Sequence, residues 1–406
     1  MNRAAGSPGQ HRPSTINRAR FLTLLAAAGV AGTTAASATT TASASPRATT
    51  TASATTTASA TTTAAAAVPK GLELKGVAYD TGGGLDEDSR AYWRTSVMRS
   101  EIHAIRHRLH ANWVSIYGSD PHRLIETAKV ALEAGLTVSI QPRSFDEPQP
   151  AELEKLRKVA IAAELLRQRY DQEVILVIGC EFMLFTPGIA LGATFAERVE
   201  YLSRPDLDRV ALQRRFQAFS AKMVTVARDN FRGRITYGAA SDLEQVDWSL
   251  FDIVGLDYYS YHPNRAGHTK ELAKFKRWNK PILILEFGCC TFTGAAKAGG
   301  MGWDIVDYSG DVPVIPPQYV RNEQEQADHL ANMLGVFAAE GFLGASPYTF
   351  ISPDAPHRPH DRPHDEDIAA YSLCKVYRSD DTNPASRYYW LPKKSFHAMS
   401  RIYRNC

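Results

Sequence analysis

From residue 75 onward, short apolar runs alternate with longer amphipathic stretches, and nothing else in the sequence limits the fold as strongly. Runs at 76–80, 113–117, 136–141, 174–181, 234–239, 253–259, 280–288 and 344–350 have the length and the β-branched and aromatic content of buried strands. Between them the apolar residues take a helical spacing. Trp93, Val97, Ile102, Ile105 and Leu109 fall at steps of three to five, and Leu212, Phe216, Phe219, Met223 and Val226 share one face. Asp120 before Pro121 predicts a capped helix start, and Ala134-Gly135 its end. Further helices are expected over 151–170, 269–278, 323–340 and 394–403. Repeated strand-then-helix units imply a parallel sheet covered by helices. Eight units in about 335 residues predict an α/β fold, a (β/α)8 TIM barrel with enlarged loops after strands 4, 7 and 8. An open doubly wound sheet is the competing arrangement. Gly82-Gly83-Gly84 lacks the spacing of a nucleotide-binding loop and precedes Asp86, Glu87 and Asp88, poor neighbours for phosphate, so no cofactor is expected.

The first 70 residues are of another kind. They hold six basic residues and no Asp or Glu, which leaves 40 basic against 43 acidic residues in the rest. The formal +3 of the whole chain therefore comes from this leader, and the remainder, near −3, offers no basic patch for nucleic acid. Arg18 and Arg20 precede an apolar run at 21–32 that is too short to span a bilayer, and Ala36-Ser37-Ala38 suits a cleavage site. Residues 1–38 are read as a secretory signal of bacterial type. Ala19 separates the arginines, whereas a twin-arginine signal sets them side by side. Residues 39–70, an Ala/Thr/Ser tract without large apolar residues, are read as a disordered linker. Residues 71–406 form the barrel. A secreted monomer is expected, with no stable membrane insertion after the signal is removed.

Two of the apolar runs end in glutamate: 174–181 closes on Glu181 and 280–288 contains Glu286. An ionisable group ending a buried strand is costly unless it lies at a strand mouth with partners. In a barrel, the C-terminal ends of the strands build one mouth. Reading those ends gives Asp80, Tyr117, Arg143, Glu181, Asp257 to Tyr259, Glu286 and Tyr348. Carboxylates, an arginine and aromatics in one cleft suit a neutral polyhydroxylated ligand. Of Tyr258 and Tyr259, alternation lets only one face the mouth.

The segment 281–288, Pro-Ile-Leu-Ile-Leu-Glu-Phe-Gly, resembles the nucleophile strand of the (β/α)8 retaining glycoside hydrolases called clan A. The segment 251–259 is similar to that clan's sixth strand, which ends in a tyrosine beside the nucleophile. Its acid/base glutamate ends the fourth strand, as Glu181 does here, and three strand–helix units fit the interval to Glu286. The resemblance implies an oligosaccharide or polysaccharide substrate and a double displacement with Glu286 as nucleophile and Glu181 as acid/base. The strand ends and the loop after strand 7 give Asp80, Tyr117, Arg143, Asp257, Tyr259, Trp303 and Tyr348 as expected substrate contacts, with Tyr259 also a donor to Glu286, Arg143 alternatively a charge that lowers the pKa of Glu286, and Asp257 alternatively a loop cap. One position departs: the clan usually has Asn before the acid/base, and this chain has Cys180, whose thiol is a weak donor.

Other features leave alternatives open. The Gly299-Gly300-Met301-Gly302-Trp303 loop presents Trp303 either as a sugar platform or as a loop anchor. His357, His360 and His364 have a spacing that metals use, but lie in a polar, Pro-rich run, and no metal is assigned. The five cysteines, Cys180, Cys289, Cys290, Cys374 and Cys406, form no disulfide scaffold, although Cys374 with Cys406 is one possible bridge. Cys180 supports a second reading, a carbohydrate-binding barrel that has lost catalysis. The stretch 286–304 is also similar to actinobacterial chains labelled abortive phage infection proteins, a label without a mechanism.

Overall fold

The computed structural model describes residues 71–84, 88–241, 243–310 and 312–405. The expected signal, the linker and Cys406 lie outside these residues. The central sheet has nine strands, all paired in parallel. They are β1 (Leu74–Lys75), β2 (Ala78–Asp80), β3 (Trp113–Gly118), β4 (Thr137–Pro142), β5 (Val174–Cys180), β6 (Ile235–Ala240), β7 (Val254–Asp257), β8 (Ile282–Phe287) and β9 (Gly344–Pro347). Their order, β1-β9-β8-β7-β6-β5-β4-β3-β2, is that of a barrel whose first stave is split. Leu74 pairs with Gly344, and Ala78 with Ser115, so β1 seals against the last strand and β2 against the second stave. The break falls at Gly76. A Cβ there would lie 2.2 Å from the indole of Trp113, so only glycine lets the stave pass this ring.

Trp113 explains the crowding. It fills the barrel interior with Leu74, Ile175, Val177, Ile253, Leu283 and Leu285, and its indole N–H donates to Ser139 Oγ at 3.2 Å. Alternate residues of the same strands, such as Leu176, Ile178, Val138 and Ile140, pack outward against the helices. Both faces are buried, which is why these strands read as continuous apolar runs.

The outer layer comprises α1 (Thr95–His107), α2 (Pro121–Glu133), α3 (Gln149–Arg169), α4 (Phe182–Phe185), α5 (Phe195–Leu202), α6 (Arg209–Asn230), α7 (Arg265–Lys276), α8 (Ala295–Ala298), α9 (Glu323–Ala339) and α10 (Lys394–Arg404). Asp120 caps α2 by accepting from His122 N–H at 2.8 Å. Between β6 and β7 the described residues hold only a 3-10 turn, Trp248–Leu250. Besides the short α4 and α8, one helix and one hairpin are additions to the expected pattern. Helix α5 starts with a Thr194/Glu197 capping box, and β10 (Cys374–Arg378) forms an antiparallel hairpin with β11 (Tyr388–Pro392). No helix among the described residues is long and apolar enough to cross a membrane.

Candidate active site

The ends of β4 and β8 meet in an ion pair between Arg143 Nη2 and Glu286 Oε1. Arg143 is buried by three neighbours. Gln141 Oε1 accepts from its Nε at 3.0 Å and its Nη2 at 2.6 Å, and its guanidinium lies 4.2 Å from the centre of the Tyr117 ring. Gln141 and Arg143 stand two apart at the end of β4, so they face the same way. Tyr117 stacks on Tyr348 at 5.5 Å and 25°. The other oxygen of Glu286 accepts from Tyr259 OH at 3.1 Å. Tyr258 turns the other way: its OH donates to Glu271 at 3.0 Å and lies 2.9 Å from His268.

Glu181 lies just beyond β5 and is only partly buried. Burial, then the negative charge of Glu286, push its carboxyl up to about 7 against the pull of Arg143. Its backbone is left-handed, at φ 45° and ψ 47°. Two residues earlier, Gly179 has φ 152°, and a Cβ there would strike the Phe182 ring at 2.4 Å. The chain thus makes a sharp turn at the fourth stave, and only a glycine at 179 leaves room for it.

Asp257 ends β7 in register with Glu286. It is 3% exposed, and neither of its oxygens has a hydrogen-bond partner among the described residues. Burial, then the charges of Glu286 and Glu181, hold this carboxyl well above its usual range. Cys180 is also buried, and burial pushes its thiol up although Arg143 opposes the shift. Asp80 serves its own loop, accepting from Gly82 N–H at 2.7 Å and from Ser89 OH. Trp303 is half-buried among the apolar side chains that pack the loop, including Val199, Phe195 and Met301. Tyr371 pins that loop by donating to Gly299 O at 2.6 Å and accepting from Gly302 N–H at 3.0 Å, and its ring meets Tyr259 edge-on.

The structure therefore joins Arg143, Glu286, Tyr259, Tyr117 and Tyr348 through direct contacts, and Glu181 and Asp257 through their fields. Gln141 and Tyr371 were not singled out from the sequence. Gln141 had a signal, its place two residues before Arg143; Tyr371 had none. His357 pairs with Asp365 and His364 with Asp361. Among the described residues no group of three His, Cys, Asp or Glu side chains is arranged to hold a metal.

No protein-family model matches this chain, and no curated protein matches it. Solved structures do. A GH113 β-1,4-mannanase aligns with 82% of this chain and 99% of its own, at 14% identity and a TM-score of 0.52. A β-glucuronidase of Bifidobacterium dentium aligns with 82% of this chain and 46% of its own, at 13% identity and a TM-score of 0.50. The fold is a glycosidase-like (β/α)8 barrel. Identities this low establish the architecture alone. The similarity to chains labelled abortive phage infection proteins has no counterpart in these matches. The C-terminal ends of β2 to β9 build the mouth of the barrel, and Glu181 and Glu286 both stand there.

Proposed function

We propose that this chain is a glycoside hydrolase that cleaves O-glycosidic bonds with retention of configuration. One observation carries the reading: two carboxyls stand at one mouth in different surroundings. Glu286 lies against Arg143 and Tyr259, while burial and the charge of Glu286 push Glu181 up to about 7. Such a difference assigns a nucleophile and an acid. Glu286 attacks the anomeric carbon and forms a glycosyl ester, while the bond to the leaving oxygen breaks and that oxygen takes the proton of Glu181. Water then attacks the same carbon, Glu181 takes the water's proton, and the ester bond breaks to free Glu286. The substrate is a sugar without a carboxylate. Arg143 is already committed to Glu286 and Gln141, and the half-buried Tyr348 and Tyr259 offer aromatic surface. With residues 1–38 as an export signal, the enzyme acts outside the cell as a monomer.

The test is turnover of a glycan panel by the full chain. Glu286→Gln and Glu181→Gln should each lower kcat by about 10²- to 10⁴-fold, and proton NMR should show the product anomer retained. Inversion, or full activity of both variants, overturns the mechanism. The carbohydrate-binding reading rests on Cys180, a weak donor where the clan usually has Asn. Glycan binding by the wild type without any hydrolysis, unchanged in Glu286→Gln, would establish it instead.

A further inference from the structure

Glu181 is a side-chain-bearing residue in the left-handed region, a disfavoured conformation that persists only where its surroundings fix it. Three consecutive backbone N–H groups do the fixing. Glu181 N–H donates to Gly238 O at 2.9 Å, Phe182 N–H to Tyr237 OH at 2.7 Å, and Met183 N–H to Glu244 Oε1 at 3.0 Å. The last two open α4, so no turn of that helix precedes them to supply an acceptor. Tyr237 in turn donates to Glu244, 2.8 Å from Oε1 and 2.9 Å from Oε2, and Oε2 also accepts from Ala240 N–H at 3.2 Å. Tyr237 and Glu244 are 1% and 6% exposed. A carboxyl at that depth is expensive; apart from the Ala240 bond, which holds its own loop, its bonds serve the turn after Glu181 or the tyrosine beside it. The ring of Phe182 packs 4.7 Å from Tyr237 and 5.0 Å from Phe219, which closes the same turn from its apolar side.

We propose that Tyr237 and Glu244 are positioning residues for Glu181: they hold the N–H groups of Phe182 and Met183 and thereby set where the Glu181 carboxyl stands relative to Glu286. The proposal rests on Glu181 being the acid/base. Neither residue touches substrate. Both act through the backbone of the two residues that follow Glu181. Tyr237→Phe leaves the Phe182 N–H without an acceptor, and Glu244→Leu does the same to Met183. Glu244→Gln keeps a carbonyl oxygen for it.

The experiment has two readouts on the full chain. In the first, glutamate carboxyl carbons are labelled with ¹³C, the Glu181 signal is assigned by its loss in Glu181→Gln, and its titration midpoint is followed. Tyr237→Phe and Glu244→Leu should each move that midpoint by at least about half a pH unit, while Glu244→Gln moves it less. In the second, Tyr237→Phe and Glu244→Leu should lower kcat about 10- to 100-fold with KM within about twofold, because a misplaced catalytic group loses rate rather than binding. Glu244→Gln should restore kcat to within about threefold of wild type. Folded Tyr237→Phe and Glu244→Leu variants with an unmoved Glu181 midpoint overturn the proposal. If either variant fails to fold, the Glu244→Gln midpoint and rate decide, and a loss as deep as that of Glu181→Gln overturns it. Full activity of Glu181→Gln would instead overturn the acid/base reading, while the midpoint still judges the positioning.

Discussion

Glu181 is held near neutrality by its surroundings, and that gives the site a pH signature. Its raised carboxyl keeps a proton below about 7 and loses it above. A general acid must enter the first step protonated, so kcat/KM should fall as pH rises through about 7. A pH–rate profile checks this, and a flat rate from pH 6 to 9 would contradict it. At this scale much was legible in the sequence. Glu181, Glu286, Arg143 and Tyr259 each lie at the end of an apolar run, and alternation allowed only one of Tyr258 and Tyr259 at the mouth; the structure turns Tyr259 there. Tyr237 and Glu244 were not legible. Tyr237 sits inside β6, where an aromatic reads as packing, and Glu244 lies in a loop where acidic residues are commonplace. Only the folded chain brings them to the turn after Glu181.

At the scale of elements, the mouth depends on how its loops are tied down. The segment after β7 is anchored on Glu271 of α7, which accepts from Tyr258 OH at 3.0 Å and Ser260 OH at 2.8 Å and lies 2.6 Å from His262. These bonds flank Tyr259 and fix its approach to Glu286. The glycine-rich segment Gly299–Ile305 is tied by the hydroxyl of Tyr371. Tyr371→Phe removes both of its bonds, at about 0.5–1.5 kcal/mol each. The variant should stay folded, with faster amide exchange across 299–305 and weaker substrate binding. Exchange unchanged in that segment would show that apolar packing alone holds the loop. The helices and eight staves were legible because buried parallel strands and amphipathic helices carry opposite periodicities. The hairpin of β10 and β11 was not, since its short aromatic runs follow the eighth unit and fit no further strand–helix pair. Helix α5 has a readable capping box, but its eight residues give too little periodicity to stand out in the loop after β5.

For the whole molecule, the raised carboxyls make stability depend on pH. Burial is the largest cause that pushes Glu152, Glu181 and Glu244 up to about 7, 7 and 8 from an ordinary 4.5. Between these values the folded chain keeps protons that the unfolded chain has lost. Their stabilisation is complete below about 4.5 and disappears as pH rises through 7 to 8. His329, lowered to about 4 by burial, works in the opposite direction, but only below its ordinary 6.5. From pH 6.5 to 8.5 the carboxyls therefore dominate, and calorimetry should show Tm falling by at least about 3 °C. An unchanged Tm over that interval would mean that these groups ionise in the folded state at ordinary values.

The split first stave bears on how the chain acquires its shape. Among the described residues its lower half joins β9 as a strand, through Leu74 with Gly344 and Lys75 with Ala345, while Lys75 also bonds Asn112 ahead of β3. Its upper part is fastened from the same distant region, since Phe350 N–H donates to Ala78 O at 2.8 Å and Tyr403 OH to Gly76 O at 2.8 Å. Loop closure over such a separation comes with an entropic cost that nearby contacts do not share. During synthesis, the growing chain carries an open sheet with two unsatisfied edges until β9 has emerged. The joint beside Gly76 is then a late event, and until it forms those edges are the places where two nascent chains would join each other.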